Sequence, residues 1–547
     1  MTGSGEAAFP PARAAGIVLA VFAFLCVYFT GVFPPWANPN ELSRFEAVSA
    51  MAEDGTFAID AAVARLGDHE DKSVSGGRQY SNKAPGLAFA AYPIYRVLRL
   101  VAPAPERGTA GPLFVLIRIL TVSVVCLVAL RRFAARLAER APPEAVALVV
   151  LAAAFGTPYL FYARSFFSHA WTAALLFLAW DRVRRAEERN GSGRGGRTAA
   201  LGGFLAGWAA ISEYSVAPLA LAVGVRAIAS PSWRRRAGFA LGAAVPLALL
   251  AVYDKICFGS PFTLSSAREA SPDYASLASS GVFGFGPPSP RIAFAYLLDP
   301  ARGALLFSPF FLWIFAGLAA WWRRGDARRD WWLVTLGLPF FFVCLCGYPN
   351  WHGGWSLGSR YLLPGLFFAG LPLARALERP FSRGFFAAAT VSAVAAHLVL
   401  TSAWPHFPLE MPWPETTGSL WFLVRRWAAP NLGLLFDTDP WISLALPTLL
   451  TAWALLAAVR AAAPVKPAAP LAALVGVAPL VALLLRPPEP PYFGRLWRAG
   501  VYGAYSGRDD GRTELLRVAK EAGTEPERRL AVRMWRFFGG AKLPTAR

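Results

Sequence analysis

Charge is scarce in this chain. Asp, Glu, Lys and Arg make up 16% of its 547 residues, where a water-soluble protein carries roughly 25%. Cysteine is scarcer: Cys26, Cys126, Cys257, Cys344 and Cys346 lie in or beside apolar runs, at no metal-ligand or disulfide spacing. That argues against a disulfide scaffold and against a zinc module, and leaves small core residues. Alternating segments of about ten residues, the mark of a transmembrane barrel, are missing. So is an internal repeat of the kind that builds inverted-repeat transporters. What is abundant is apolar: 55% hydrophobic and 14% aromatic residues, with a mean hydropathy of +0.41. These residues come in blocks of about 17–20, long enough to cross a hydrocarbon core. The expected fold is therefore all-α, a polytopic membrane protein.

Thirteen spans are expected: 14–34, 113–130, 143–161, 168–183, 198–212, 214–229, 237–254, 303–322, 331–347, 361–376, 384–403, 441–459 and 468–485. A further apolar stretch, 85–101, is ambiguous, and the basic residues decide it. With 85–101 not crossing and residues 1–13 in the cytoplasm, the loops 131–140, 181–197, 230–236, 323–329, 375–383 and 460–466 all face inward and hold 22 Lys and Arg. The short outer turns then hold only Arg164 and Arg360. A crossing at 85–101 would invert that bias, against the positive-inside rule. The segment 85–101 is therefore expected as a juxtamembrane helix within a first outer loop of 35–112, itself part of a transmembrane domain of 14–485. The tail, 486–547, is expected outside despite its 13 Lys and Arg, since long terminal segments obey the rule weakly. Its patterns TELLRVAKEAG and ERRLAVRMWRFF suit surface helices. The net charge of +20 is explained by these loops, and no nucleic-acid partner is expected.

On this topology the unusual polar residues gather at the outer face. NPNELSRFE (38–46) is followed by GDHEDK (67–72) and QYSNKAPG (79–86). Later come YARSFFSH (162–169), EYS (213–215), YDKICFGSPF (253–262), DPARG (299–303) and GYPNWHGGWSLGSRY (347–361). Ionisable groups at membrane depth are costly and usually line a functional cavity. Lysine and arginine suit phosphate oxygens, arginine in bidentate fashion. A carboxylate beside them suits deprotonation of an acceptor hydroxyl or a divalent cation.

The order of these motifs resembles that of the GT-C membrane glycosyltransferases, in particular the protein O-mannosyltransferase and aminoarabinose-transferase-like branch (family 39-like). It rests on NELSR after the first span, GTFAID before GDHEDK, YSNKAPG, FGSPF, ARGALLFSPF and WHGGWSLGSRYLLP, over roughly residues 15 to 370. The resemblance implies an integral-membrane transferase. It would move a sugar from a polyprenyl-phosphate donor to a glycan, lipid or protein acceptor at the extracytoplasmic face. It implies Glu41 as catalytic base or metal neighbour, Asp71 as a second acidic candidate, and Lys83 as the lysine on the donor phosphate. The sequence departs from the pattern at Asn40, where an Asp-Glu pair is common, and at Asn82, where an acidic residue can precede the lysine. With fewer carboxylates, a divalent cation (Mg or Mn on Glu41 and Asp71) stays open.

Each candidate has a plainer alternative. Glu41 also suits the first turn of a helix capped by Asn38 or Asn40 and running through Leu42, Phe45 and Val48. Arg44 is either the partner of Glu41 or a phosphate ligand, and Arg164 meets either the donor or a lipid headgroup. Lys83 either holds phosphate or snorkels to headgroups. Glu213 pairs with Arg164 or lines the pocket, where His169, His352 and Trp355 are also expected, with Arg360 expected on the donor phosphate. The alternative function is a transporter or flippase for a lipid-linked or anionic solute, which would need charges along a path through both faces.

Overall fold

The structure is a computed structural model. It describes residues 10–30, 38–106, 110–188, 194–272, 284–325, 328–403, 415–424, 428–436, 438–462 and 510–525, with a few isolated positions between and after them. Among these residues it is a helical bundle with one small hairpin, formed by strands β1 (Lys72–Ser75) and β2 (Arg78–Ser81). Among the described residues five helices are long and apolar enough to cross a membrane: Pro11–Tyr28, Gly111–Ala138, Trp233–Phe258, Pro380–Ser402 and Pro440–Ala461. The protein is thus a helical membrane protein, while the expected thirteen spans are not all met as such. Pro143–Phe155 has 13 residues. The expected 303–322 span is broken at Ser308–Pro309 into Ala304–Phe307, a tight turn at Pro309–Leu312, and Trp313–Arg324. Proline explains that break, because its ring clashes with the preceding turn and it lacks an N–H. The 468–485 span and residues 486–509 lie outside the described residues, as do 1–9 and most of the second tail pattern; TELLRVAKEAG falls on the helix Asp510–Glu521.

The 85–101 segment folds as the helix Gly86–Leu98. Its 13 residues rise about 20 Å, well short of a hydrocarbon core. Its far end leaves Val97, Leu100 and Val101 exposed.

Two contacts set the frame around the site. The helix Ser168–Glu188 runs through the middle of the bundle, buried along nearly its whole length. There Phe177 and Phe133 each meet Phe367 at 5.1 Å between ring centres. The helix Arg194–Ser212 lies against Trp233–Phe258 so closely that a Cβ on Gly203 would sit 1.9 Å from the carbonyl of Phe239. One on Gly242 would sit 1.9 Å from the carbonyl of Ala200. Gly203 and Gly207 meet Phe239 and Ala243, and Gly238 and Gly242 meet Gly196 and Ala200, a small-residue seam that lets membrane helices pack without a hydrophobic drive. The outward face of Trp233–Phe258 keeps Leu241, Val245, Val252 and Ile256 exposed, an apolar strip suited to lipid.

Candidate active site

At the end of the bundle where Ser168–Glu188 begins, loops and helix ends surround a cavity of about 510 Å³. The first contributor is the NPNELSRFE segment, which forms the helix Pro39–Ser49. Asn38 is its cap: the side-chain oxygen accepts from the N–H of Asn40 at 2.8 Å and of Glu41 at 3.4 Å, with Pro39 in the first turn. Leu42, Phe45 and Val48 are buried, and Phe45 meets Phe114 at 5.2 Å. That fixes the face the helix turns to the cavity, which Asn40 and Arg44 line. Arg44 donates to the carbonyl of Asn40 at 3.1 Å, to the Asn40 side chain, and to Ser168 Oγ at 3.0 Å. Burial lowers its guanidinium to about 10, opposed by the charges of Glu213 and Asp71.

Glu41 is not on that face. It is fully buried behind the wall, its Oε1 accepting the N–H of Phe166 at 2.5 Å. Burial raises its carboxyl to about 7, against the pull of the Phe166 N–H and of Arg118, Arg44 and Arg164. Arg164 lies on the same hidden side. It donates to the carbonyl of Thr401 at 2.7 Å and its guanidinium covers the Phe29 ring at 4.4 Å. Neither Glu41 nor Arg164 lines the cavity. Arg118, which sequence reasoning missed, belongs to this hidden cluster, donating to the carbonyls of Phe29 and Arg164. As the one charged residue in the 113–130 span, it was the available signal.

The hairpin delivers the second group. Gly76 and Gly77 (φ +57° and +77°) make its two-residue turn, where both central positions need positive φ. Just before β1, His69 braces the loop: Nδ1 accepts from the Asp71 N–H at 3.1 Å, so the proton sits on Nε2, which donates to Glu46 at 2.6 Å. Ser43 Oγ donates to the carbonyl of Asp71 at 2.7 Å. So held, Asp71 pairs with Lys83 Nζ at 2.9 Å. Burial alone would raise the Asp71 carboxyl, but Lys83, His69 and Asn82 outweigh it and keep it below its usual value. Asn82 Nδ2 donates to Glu269 Oε2 at 2.8 Å and reaches Asp71 Oδ1 at 3.4 Å. Glu269 was also missed. It arrives from a loop that pairs along β1, with a bridge to Ser73 and the Ala270 N–H on the carbonyl of Lys72 at 2.8 Å. Its surrounding sequence, SSAREAS, carries no distinguishing pattern.

The third group is WHGGWSLGSRY. Gly353 has φ +71°, and a Cβ there would lie 2.6 Å from Arg360 Nε. Arg360 stacks on Phe167 (5.2 Å) and Tyr361 (5.1 Å), and its Nε has no hydrogen-bond partner among the described residues. The loop is tied from behind: Arg302 donates to the carbonyl of His352 at 2.5 Å and pairs with Glu415 at 2.9 Å, and Glu415 accepts the Gly358 N–H at 2.7 Å. His352 Nδ1 accepts the Gly354 N–H at 3.0 Å. Glu213, in the turn after Ser212, accepts Ser168 Oγ–H at 2.5 Å and lies 3.9 Å from His169 Nδ1. It has no ion pair with Arg164.

The cavity therefore gathers Arg44, Asp71, Lys83, His169, Glu213, His352, Trp355 and Arg360 of the expected set. Glu70, Glu269, Phe285, Tyr348 and Tyr361 line it as well. A divalent cation on Glu41 and Asp71 does not fit this arrangement. Glu41 holds a backbone amide behind the wall, Asp71 holds Lys83, and no group of three metal-ligating side chains comes together among the described residues.

No family model matches the chain, and no curated protein matches it. Among solved structures it is similar to ArnT from Cupriavidus metallidurans in the apo state, at 16% identity and TM-score 0.46, over 95% of this chain and 84% of that one. It is similar to the same protein bound to undecaprenyl phosphate at 14% identity and TM-score 0.44, with the same coverage. The oligosaccharyltransferase AglB from Archaeoglobus fulgidus, in complex with an inhibitory peptide and a dolichol-phosphate, is similar at 12% identity and TM-score 0.40, over 91% of this chain and 58% of that one.

Proposed function

We propose that this chain is an integral-membrane glycosyltransferase that moves a sugar from a polyprenyl-phosphate donor to a glycan, lipid or protein acceptor at the extracytoplasmic face. One observation carries the reading: a single cavity in a membrane bundle brings together three cations, Arg44, Lys83 and Arg360, with carboxylates and an aromatic wall. Lys83 and Arg360 hold the donor phosphate. Charge-assisted bonds of this kind are short and strong, and they strengthen as the leaving phosphate gains negative charge. Arg44 adds positive potential from the wall. Phe167, Tyr348 and Tyr361 offer rings to the apolar face of a sugar. Lys83 is held by Asp71 and Arg360 by its aromatic stack, so both cations are in place before the donor arrives, which lowers the cost of ordering them. A carboxylate takes the acceptor's proton as its oxygen attacks the anomeric carbon. A lipid carrier suits a site outside the cytoplasmic membrane, where nucleotide sugars are not available.

The test is transfer by the full-length protein in liposomes from undecaprenyl phosphate carrying radiolabelled sugar. Lys83→Ala is expected to lower transfer by about 10–100-fold, the loss of about 1.5–3 kcal/mol in charged hydrogen bonds. Equal transfer by wild type and variant removes the phosphate assignment. Movement of the lipid between leaflets without transfer would support the transporter alternative.

A further inference from the structure

We infer that Glu269 is the general base of the transfer reaction and that Asn82 is its positioning residue; this rests on the glycosyltransferase reading above. Of the three other carboxylates that line the cavity, Glu70, Asp71 and Glu213, the latter two are engaged by neighbouring side chains. Asp71 is tied to the Lys83 ammonium at 2.9 Å. Glu213 accepts the hydroxyls of Ser168 at 2.5 Å and Ser215 at 3.2 Å, and stands next to Arg44 through Ser168. Glu41 does not reach the cavity at all. Glu269 differs from these: half-buried, it lines the cavity, has no ion pair among the described residues, and is held on Oε2 by a neutral amide.

Asn82 gives both of its N–H directions to carboxylates, Glu269 and Asp71, and its own Oδ1 has no partner among the described residues. An acid at position 82 would set three carboxylates side by side; the amide is what lets Glu269 share this corner with Asp71. The two asparagines where the resembling branch commonly carries acids, Asn40 and Asn82, thus accompany a carboxylate supplied by a different loop. The bridge of Glu269 to Ser73 in β1 fixes that loop to the segment that carries Lys83. Base and phosphate-binding cation are therefore set in one rigid unit. Burial lifts the Glu269 carboxyl to about 7, opposed by Lys83 and Asn82 and assisted by Asp71. Arg44, Glu70, Glu213, His169 and Arg360 share the cavity from the other elements.

In the step, the Glu269 carboxylate takes the proton of the acceptor hydroxyl. The acceptor oxygen forms its bond to the anomeric carbon as the bond from that carbon to the phosphate oxygen breaks. The electron pair leaves on the polyprenyl phosphate, beside Lys83 and Arg360, and Glu269 then returns its proton to water.

The experiment measures kcat and the donor KM of the purified full-length protein between about pH 5.5 and 9. The donors are undecaprenyl phosphate carrying radiolabelled mannose, glucose or 4-amino-4-deoxyarabinose, with whole membrane extract, its glycans, lipids and proteins included, as acceptor. Wild-type kcat is expected to rise with pH through about 7. Glu269→Gln is expected to lose about 10²–10⁴-fold in kcat and the pH rise, with donor KM nearly unchanged. Glu269→Asp keeps the pH rise at reduced kcat, and Asn82→Asp moves the rise to higher pH. Wild-type kcat and pH rise in Glu269→Gln overturn the inference and leave the glycosyltransferase reading standing. A loss expressed in donor KM with the pH rise intact also overturns it. No transfer by wild type from any of the three donors overturns the reading, and the inference with it.

Discussion

The helix Ser168–Glu188 carries a cluster of acids and bases at each end, and the two clusters are built differently. At its end, Asp181 is met by Arg132 (3.2 Å), Arg136 (2.6 Å) and Arg185 (3.1 Å). Nearby, Asp330 takes Arg140 (3.2 Å), Arg184 (2.5 Å), Arg226 (2.9 Å) and the Trp180 N–H (3.0 Å). Both buried carboxylates there, Asp181 and Asp330, are surrounded by guanidinium groups. At its start, about 20 Å from Asp181 at 1.5 Å per residue, the cavity's Asp71, Glu213 and Glu269 are met by hydroxyls, an amide and a single lysine. Arg360 keeps an Nε with no hydrogen-bond partner among the described residues, and a cavity lies between. The same residue types thus serve two ends: where charges are fully matched they hold helices together, and where they are incompletely matched they leave room for an anion.

The comparison can be broken at either end. The largest effect is expected from Asp330→Ala, which leaves three buried or half-buried arginines facing one another. Breaking such a network by removing one partner costs about 3–5 kcal/mol, read as a fall in the unfolding midpoint in detergent with transfer per folded molecule unchanged. At the cavity end Glu41 should behave in the opposite sense. Its folded-state value of about 7 lies above the free value of 4.5, so the protonated carboxyl is the form the fold prefers. Stability from this group is complete below pH 4.5 and is lost as pH rises to about 7. Glu41→Gln should therefore match wild type in acid and exceed it at pH 8 by up to about 3 kcal/mol. A less stable variant at pH 8 would show instead that Glu41 is ionised and paired with its arginines. The smallest change is expected from Gly353→Ala. It strains a φ of +71° and pushes on Arg360 Nε from 2.6 Å, so the donor KM should rise about fivefold, for roughly 1 kcal/mol, while kcat stays within twofold.

Much of this was legible in the sequence, because periodicity and motif order are local properties. The helix at 39–49, its cap at Asn38, and its buried Leu42, Phe45 and Val48 follow from residue spacing alone. The same holds for the convergence of Lys83, Glu213 and WHGGWSLGSRY on one cavity, since charge counting puts all three on one side. Two things were not legible. Which face of a helix points at a cavity depends on packing, so Glu41, one residue from the cavity-lining Asn40, turned out to sit behind the wall. Glu269 depends on a backbone bridge to Ser73 from a distant loop, which leaves no periodic trace. The thirteen-span expectation treated apolar length as helix length, and Pro309 shows how a break inside an apolar run defeats that step.

The most direct measurement is binding of radiolabelled undecaprenyl phosphate to the purified protein, comparing the two ends. The double variant Lys83→Ala/Arg360→Ala should lose at least tenfold in affinity, and Arg329→Ala, whose exposed guanidinium sits 3.5 Å from Glu187 at the other end, should bind as wild type. Equal affinity in all three proteins, or a larger loss from Arg329→Ala, would contradict the placement of the donor phosphate in the cavity.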